Sequence, residues 1–391
     1  MSIKVGMAIV PYLSIERQVQ TAVMLEKLGF DSAWWPDHIL FTDQANGYDA
    51  WTVMAVAASR TRRISIGTAV TDPHRVHPAV FAQRAATLDQ LSRGRLMLGL
   101  GSGESMNLDP FGIAWEDRKV GRTREFIKVV RALLDSREPQ SHSGQLFQLK
   151  NARLAVRPYK SRRIPIYMAS LGPQMQKLTG EVADGWLPVV VPPEHYSNYF
   201  EPIAASAKAC GRHPETFERV ATVLLCILPD GLSVNQTQLA KIFRPYAGTM
   251  VWGVSARQLG LPFDPPEHLA GVGYQTVNPC DPESVQLFKD FTAWVPDETF
   301  LKFTLVGDRT TVLNTLQQYV AAGVTHFELM NASPDPLWST SVIANEFIPE
   351  LTGRAPSFAA RALGLASPLL LKSRIGRRLV PTELDRWKGI V

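Results

Sequence analysis

Cysteine is scarce in this chain of 391 residues. Cys210, Cys226 and Cys280 stand far apart with no Cys-x-x-Cys pair. That excludes a disulfide framework and a cysteine-built zinc site, and it fits a reducing cytoplasm. No metal site is expected. Long apolar runs are missing too: none approaches the roughly 20 residues that a membrane-spanning helix needs. The N-terminus enters an apparent strand directly at Met1-Ser2-Ile3-Lys4-Val5, so no secretory leader is expected. Charge of one sign is lacking outside a single segment. The formal net charge is +5, yet Arg354–Val391 alone holds eight Lys/Arg against two acids, so residues 1–353 carry −1. A globally nucleic-acid-binding domain is therefore excluded. What remains is 45% hydrophobic and 20% charged, enough to bury a large core without long disorder.

Strand-like and helix-like patterns alternate along this chain. Strands are predicted at Lys4–Ile9, Asp31–Trp35, Ile64–Val70, Leu96–Gly101, Ile164–Ala169, Gly185–Val191, Val220–Leu228 and Thr325–Met330. Helical spacing falls at Ile15–Leu28, Tyr48–Arg60, Pro78–Leu91, Arg122–Leu134, Pro173–Val182, Glu194–Ala209, Thr311–Ala322 and Ser339–Leu351. Gln140–Leu149 reads as a surface hairpin turning at Ser143-Gly144. Eight strands, each followed by helical sequence, predict an α/β fold, the (β/α)8 TIM barrel, over residues 1–355. The stretch 229–308 is too long for a plain connection. It reads as an inserted lid over the strand C-termini, ahead of the last βα unit. Residues 356–391 form a basic C-terminal extension.

The chemistry concentrates at strand ends, where parallel α/β folds place their sites. Leu96-Met97-Leu98-Gly99-Leu100 runs into Gly101-Ser102-Gly103-Glu104-Ser105-Met106-Asn107. Three glycines leave backbone room for a flat or phosphorylated ligand, and Glu104 stands where the strand stops. A glycine-rich turn with a solvated glutamate fits the same letters. The second strand delivers Asp37-His38, which reads either as an Asp cap with an incidental His or, with Glu104, as a proton-handling pair. Ala169-Ser170-Leu171-Gly172-Pro173 opens a helix whose first amides suit a phosphate, or is a plain N-cap.

Together, Trp35-Pro36-Asp37-His38, Gly67-Thr68-Ala69-Val70, His77-Pro78-Ala79-Val80, Arg93-Gly94-Arg95, Gly101 to Asn107 and Ala169 to Pro173 with Ala183-Asp184-Gly185-Trp186 resemble the luciferase-like monooxygenase superfamily. The resemblance covers about residues 3–335 and points to the branch that uses coenzyme F420. It implies a bacterial-luciferase-like barrel, with Asp37 and His38 beside the deazaflavin ring. Ala69-Val70 would form a bulge under the ring with a non-prolyl cis peptide, and Glu104 would give or take a proton. Gly101, Gly103, Asn107 and Ala169 would help hold the cofactor, and Ser170, Leu171 and Gly172 its phosphate. His38 and Glu104 are thus the expected catalytic residues.

The expected activity is hydride transfer between the deazaflavin and a carbonyl or alcohol substrate. The apolar loop Leu187-Pro188-Val189-Val190-Val191 favours a hydrophobic, ketoreductase-like substrate over a phosphorylated sugar. Alternatives are a methylenetetrahydropterin reductase using the same cofactor, an FMN-dependent monooxygenase and a non-catalytic flavin-binding protein. The expected partners are a small-molecule, apolar substrate and a second copy in a homodimer, with no nucleic acid. The expected place is the cytoplasm. The tail mixes Phe358, Leu363 and Leu365 with Arg361, Lys372, Arg374, Arg377 and Arg378. It reads as a helix packed on the barrel, or as a peripheral contact with anionic membrane at the cytoplasmic face.

Overall fold

The computed structural model describes residues 2–40, 47–115, 118–232, 234–250, 264–273 and 276–370. Local signals set the elements. Helix Ile15–Leu28 starts where Ser14 accepts the Arg17 amide and stops at Gly29 with φ 97°. Asp49 caps helix Ala50–Arg60 through the Thr52 amide, and His77 with Pro78 opens helix Pro78–Ser92.

The strands between are short and buried: β1 (Lys4–Ala8), β2 (Ser32–Trp35), β3 (Ser65–Thr68) and β4 (Leu96–Leu100). The hairpin β5 (Gln140–Ser143) and β6 (Gln148–Ala152) stands apart and antiparallel. Then follow β7 (Ile166–Met168), β8 (Gly185–Trp186), β9 (Glu218–Ile227), β10 (Leu305–Gly307) and β11 (His326–Asn331). The parallel order β1-β2-β3-β4-β7-β8-β9-β11 closes back on β1, so eight strands form a TIM barrel. The sequence pattern missed β10. It pairs with Leu225–Ile227 of β9, above the point where β8, paired with Glu218 and Arg219, has ended.

Register and strand alternation define layers inside the barrel. At the base, Lys4 Nζ and His326 Nδ1 lie 2.9 and 2.8 Å from Glu218 Oε1, and the Tyr167 hydroxyl donates to Glu218 Oε2 at 2.7 Å. Burial alone would raise the Glu218 pKa; His326, Lys4 and Tyr167 outweigh it and hold the carboxyl at about 2. Above this, Gly6, Gly67, Tyr167 and Val220 face inward. Gly67 is needed there because a Cβ would stand 2.8 Å from the Trp34 ring. The next layer is Trp34, Gly99, Leu187 and Glu328, all buried. The last layer before the mouth is Ala8, Ala69, Ala169 and Thr222. These four small side chains are half-buried, so the barrel ends in an open floor.

A second apolar core sits beside that mouth. Leu224, Cys226 and Leu228 pack with Val190, Ala332, and Phe243, Phe291, Phe300 and Phe303 from the stretch between β9 and β10. Within that stretch, residues 251–263 lie outside the described residues. At the other end of the chain, Arg354 donates two hydrogen bonds of 2.7 Å to the Asp31 carboxylate. Helix Phe358–Leu370 then lies on helix Ile15–Leu28, burying Ala360. It runs through Pro368. Phe358 and Leu365, seven residues apart, are 82% and 81% exposed. The tail beyond, residues 371–391, lies outside the described residues. No helix among the described residues is long and apolar enough to cross a membrane.

Candidate active site

The loops after β2 and β4 meet at the barrel mouth. His38 Nε2 lies 3.6 Å from Glu104 Oε2, and both side chains are mostly buried. Asn107 ties the two loops together. Its Oδ1 accepts from the amides of Ile39 at 2.7 Å and Leu40 at 3.0 Å, and its Nδ2 donates to Glu104 Oε2 at 3.3 Å. Glu104 is extended, with φ −137°, and precedes the short helix Ser105–Leu108. That helix turns the buried Asn107 back toward both loops.

The floor beside this pair is the end of β3. The Ala69–Val70 peptide is cis, and pairing to β4 resumes at Thr71, whose amide donates to the Gly99 carbonyl at 2.9 Å. Thr68 locks the register below, with its hydroxyl donating to the Gly99 carbonyl and accepting from the Gly99 amide. A Cβ on Gly99 would stand 2.1 Å from the Thr68 carbonyl oxygen, so only glycine lets the two strands come this close. Gly101 faces the Val70 methyl and Ala169. Gly103 adopts φ +81° beside His74.

Across the mouth, Ala169 follows β7 and joins the open floor. Ser170 is buried: its hydroxyl is hydrogen-bonded to Thr179 Oγ1 at 2.8 Å, and its carbonyl accepts from Trp186 Nε1 at 2.8 Å. Leu171 is partly buried against the core. Gly172 precedes helix Pro173–Val182, whose start has no side-chain cap, and nothing lies within 4 Å of where a Gly172 Cβ would be. An uncapped helix start beside open space suits a phosphate. An open floor of small side chains suits a flat ring. The residues present therefore fit a deazaflavin or flavin carrying a phosphorylated side chain.

Asp37 is drawn into the scaffold. Its carboxylate accepts from Trp51 Nε1 at 3.0 Å and lies 2.9 Å from an Arg75 nitrogen. Arg75 also donates to the Asp37 carbonyl and to Asp72 Oδ2. Burial would lower the Arg75 pKa, but Asp37 and Asp72 outweigh it and raise it. This buried cluster fastens the loop after β3 to the end of β2, and sequence reasoning missed it. The signal was the Asp72-Pro73-His74-Arg75 run directly after β3. It also missed Thr222 and Glu328 inside the barrel, because neither lies in a recognisable motif. Among the described residues, no cluster of His, Cys, Asp and Glu could hold a metal ion.

A family model described as luciferase-like monooxygenase matches residues 1–326. The chain is 31% identical over 291 residues to a phthiodiolone/phenolphthiodiolone dimycocerosates ketoreductase of Mycobacterium kansasii, covering 73% of this chain and 77% of that protein. It is 33% identical over 225 residues to a 5,10-methylenetetrahydromethanopterin reductase of Methanolobus tindarius, covering 58% of this chain and 66% of that one. A solved F420-dependent secondary alcohol dehydrogenase, in complex with an F420-acetone adduct, superposes with a TM-score of 0.76 and 27% identity. That superposition covers 90% of this chain and 99% of the other.

Proposed function

The chain belongs to the luciferase-like monooxygenase family, and we propose that it transfers a hydride between coenzyme F420 and a hydrophobic ketone or secondary alcohol. It is an F420-dependent oxidoreductase; FMN is the alternative cofactor. The observation that carries the reading is the His38–Glu104 pair, 3.6 Å apart beside the open floor of small side chains. Bound coenzyme F420 supplies hydride chemistry, because its central ring has carbon where a flavin has nitrogen. The protein must then orient the ring, place the substrate and handle one proton. Ala69, Val70, Gly101, Gly103 and Ala169 give the ring its seat. Asn107 holds the loop that carries His38, and Ser170, Leu171 and Gly172 frame the phosphate at the open helix start. Asp37, through Arg75, fixes the direction in which His38 leaves β2. Reducing a carbonyl needs one proton on its oxygen, and oxidising an alcohol needs that proton removed. Glu104 and His38 are the groups that exchange it.

The apolar run Leu187–Val191 supports a greasy substrate, as does the second apolar core beside the mouth, which we read as a lid formed by 229–308. A second reading, methylenetetrahydropterin reduction with the same cofactor, is supported by the likeness to the Methanolobus enzyme. Titration of the purified protein with coenzyme F420 and with FMN, followed by turnover on apolar ketones and on methylenetetrahydropterins, separates these readings. Binding of FMN alone sinks the deazaflavin assignment. Binding without turnover on any substrate favours a non-catalytic flavin-binding protein.

Two further proposals concern assembly and place. Val56, and Val80 with Leu91 on the neighbouring helix, are exposed apolar residues. They support a homodimer through that face. Exposed Phe358 and Leu365 lead in sequence to Lys372, Arg374, Arg377 and Arg378. They support a peripheral contact of a cytoplasmic enzyme with anionic membrane, where a lipid-like substrate would be met.

A further inference from the structure

The proton-handling pair leaves one buried carboxyl of the barrel unused. Glu328 of β11 is 4% exposed and faces inward in the layer directly beneath Ala8, Ala69, Ala169 and Thr222. Its partner is Thr222 of β9, whose hydroxyl donates to Glu328 Oε2 at 2.7 Å and which itself belongs to the half-exposed floor. We propose that Glu328 and Thr222 form a hydrogen-bonding subsite in the floor of the barrel mouth, which takes an uncharged acceptor, a carbonyl or hydroxyl oxygen, from the ring cofactor or the substrate. The inference rests on the mouth being the ligand site, as proposed above.

Three observations carry it. The first is position. In an eight-stranded barrel β11 stands opposite β4, so Glu328 and Thr222 lie across the mouth from Glu104. A ligand reaching from one side to the other passes over them, because the layer between is made only of Ala and Thr side chains. The second is the polar surroundings. Gly6 is the register partner of Glu328 on β1. Trp34 Nε1 comes within 3.0 Å of the place where a Gly6 Cβ would stand. The Ser32 hydroxyl, 1.8 Å from that place and hydrogen-bonded to His326 Nε2 at 2.7 Å, fills the space that Gly6 leaves. The buried Trp34 N–H beside it has no hydrogen-bond partner among the described residues, so the layer of Glu328 holds a donor awaiting an acceptor. The third is that, among the described residues, no counter-charge faces Glu328. Facing inward on the strands around it are Lys4, Glu218, His326 and Tyr167. Lys4, His326 and Tyr167 are gathered on Glu218 at the base. Burial therefore raises the Glu328 pKa to about 7, and in its acid form the side chain offers a proton to an acceptor.

The test compares wild type with E328Q, E328L and T222V. Cofactor affinity is read by fluorescence titration with coenzyme F420, and substrate use by KM and kcat with acetophenone. Glutamine keeps the shape and a donor, so E328Q is expected within about twofold of wild type for both ligands. Leucine removes the donor, and E328L is expected to weaken one ligand by about fivefold to tenfold. A change in cofactor Kd assigns the oxygen to the ring, and a change in KM alone assigns it to the substrate. T222V is expected to weaken that same ligand by about threefold, and it carries the comparison if E328L fails to fold. Wild-type affinity in both E328L and T222V overturns the subsite, as does equal weakening by E328Q and E328L. If the wild type binds FMN and not coenzyme F420, the cofactor assignment fails, and the same four proteins test the subsite with FMN.

Discussion

Replacing Glu328 by glutamine should change how stability depends on pH. The folded-state pKa of Glu328 is raised by burial from 4.5 to about 7, against one favourable hydrogen bond from Thr222. A carboxyl whose folded pKa lies above its unfolded value binds its proton more tightly in the native state. Its contribution is fully present below the unfolded pKa and is lost as pH rises through the folded one. The wild type should therefore lose stability from about pH 4.5 to pH 7 and then level off. At 1.36 kcal/mol per pKa unit the loss is about 3 kcal/mol. Glutamine does not titrate, so E328Q should gain that much on the wild type between pH 4.5 and pH 8. For a chain of this size the gain is a rise of about 4 °C in relative Tm. Thermal unfolding of both proteins across that range, followed by circular dichroism, measures it. The acidic groups of the base titrate lower, Glu218 at about 2, and are shared by both proteins. A Tm difference that stays constant from pH 4.5 to pH 8 would refute the placement of Glu328 as a buried carboxyl without a counter-charge.

E104Q keeps shape while removing the titrating group. It should leave cofactor affinity unchanged and lower turnover by about 10²–10⁴-fold, with H38A slowing the same step and the double variant non-additive; wild-type turnover in E104Q would exclude it as the proton carrier. Arg75→Met leaves Asp37 and Asp72 buried without their cation. It should cost about 3–5 kcal/mol in denaturant unfolding, whereas a loss under about 1 kcal/mol would show that the cluster does not hold the mouth together. Truncation after Arg354 should abolish salt-sensitive co-sedimentation with anionic vesicles, and equal, negligible sedimentation of both proteins would leave the tail as packing on the barrel.

The barrel was written locally. Short apolar runs alternate with helical spacing, and Ser14, Gly29, Asp49 and Pro78 mark where helices begin or end, so all eight barrel strands and nearly all barrel helices follow from neighbours in sequence. The glycines after β4, the pair Asp37-His38 and the Gly67-Thr68-Ala69-Val70 run were legible for the same reason: each is a contiguous motif. Tertiary structure decided what depends on register between distant strands. It turned Asp37 onto Arg75 and Trp51, and it set Ser170 against Thr179 and Trp186. It placed β10 on the free edge of β9. Glu328 and Thr222 stand 106 residues apart, and no pattern in either segment announces that they share the barrel interior. Strand alternation alone puts each on one face or the other. Only the stagger of the closed barrel brings Glu328 one layer beneath the floor, where burial without a cation sets its chemistry.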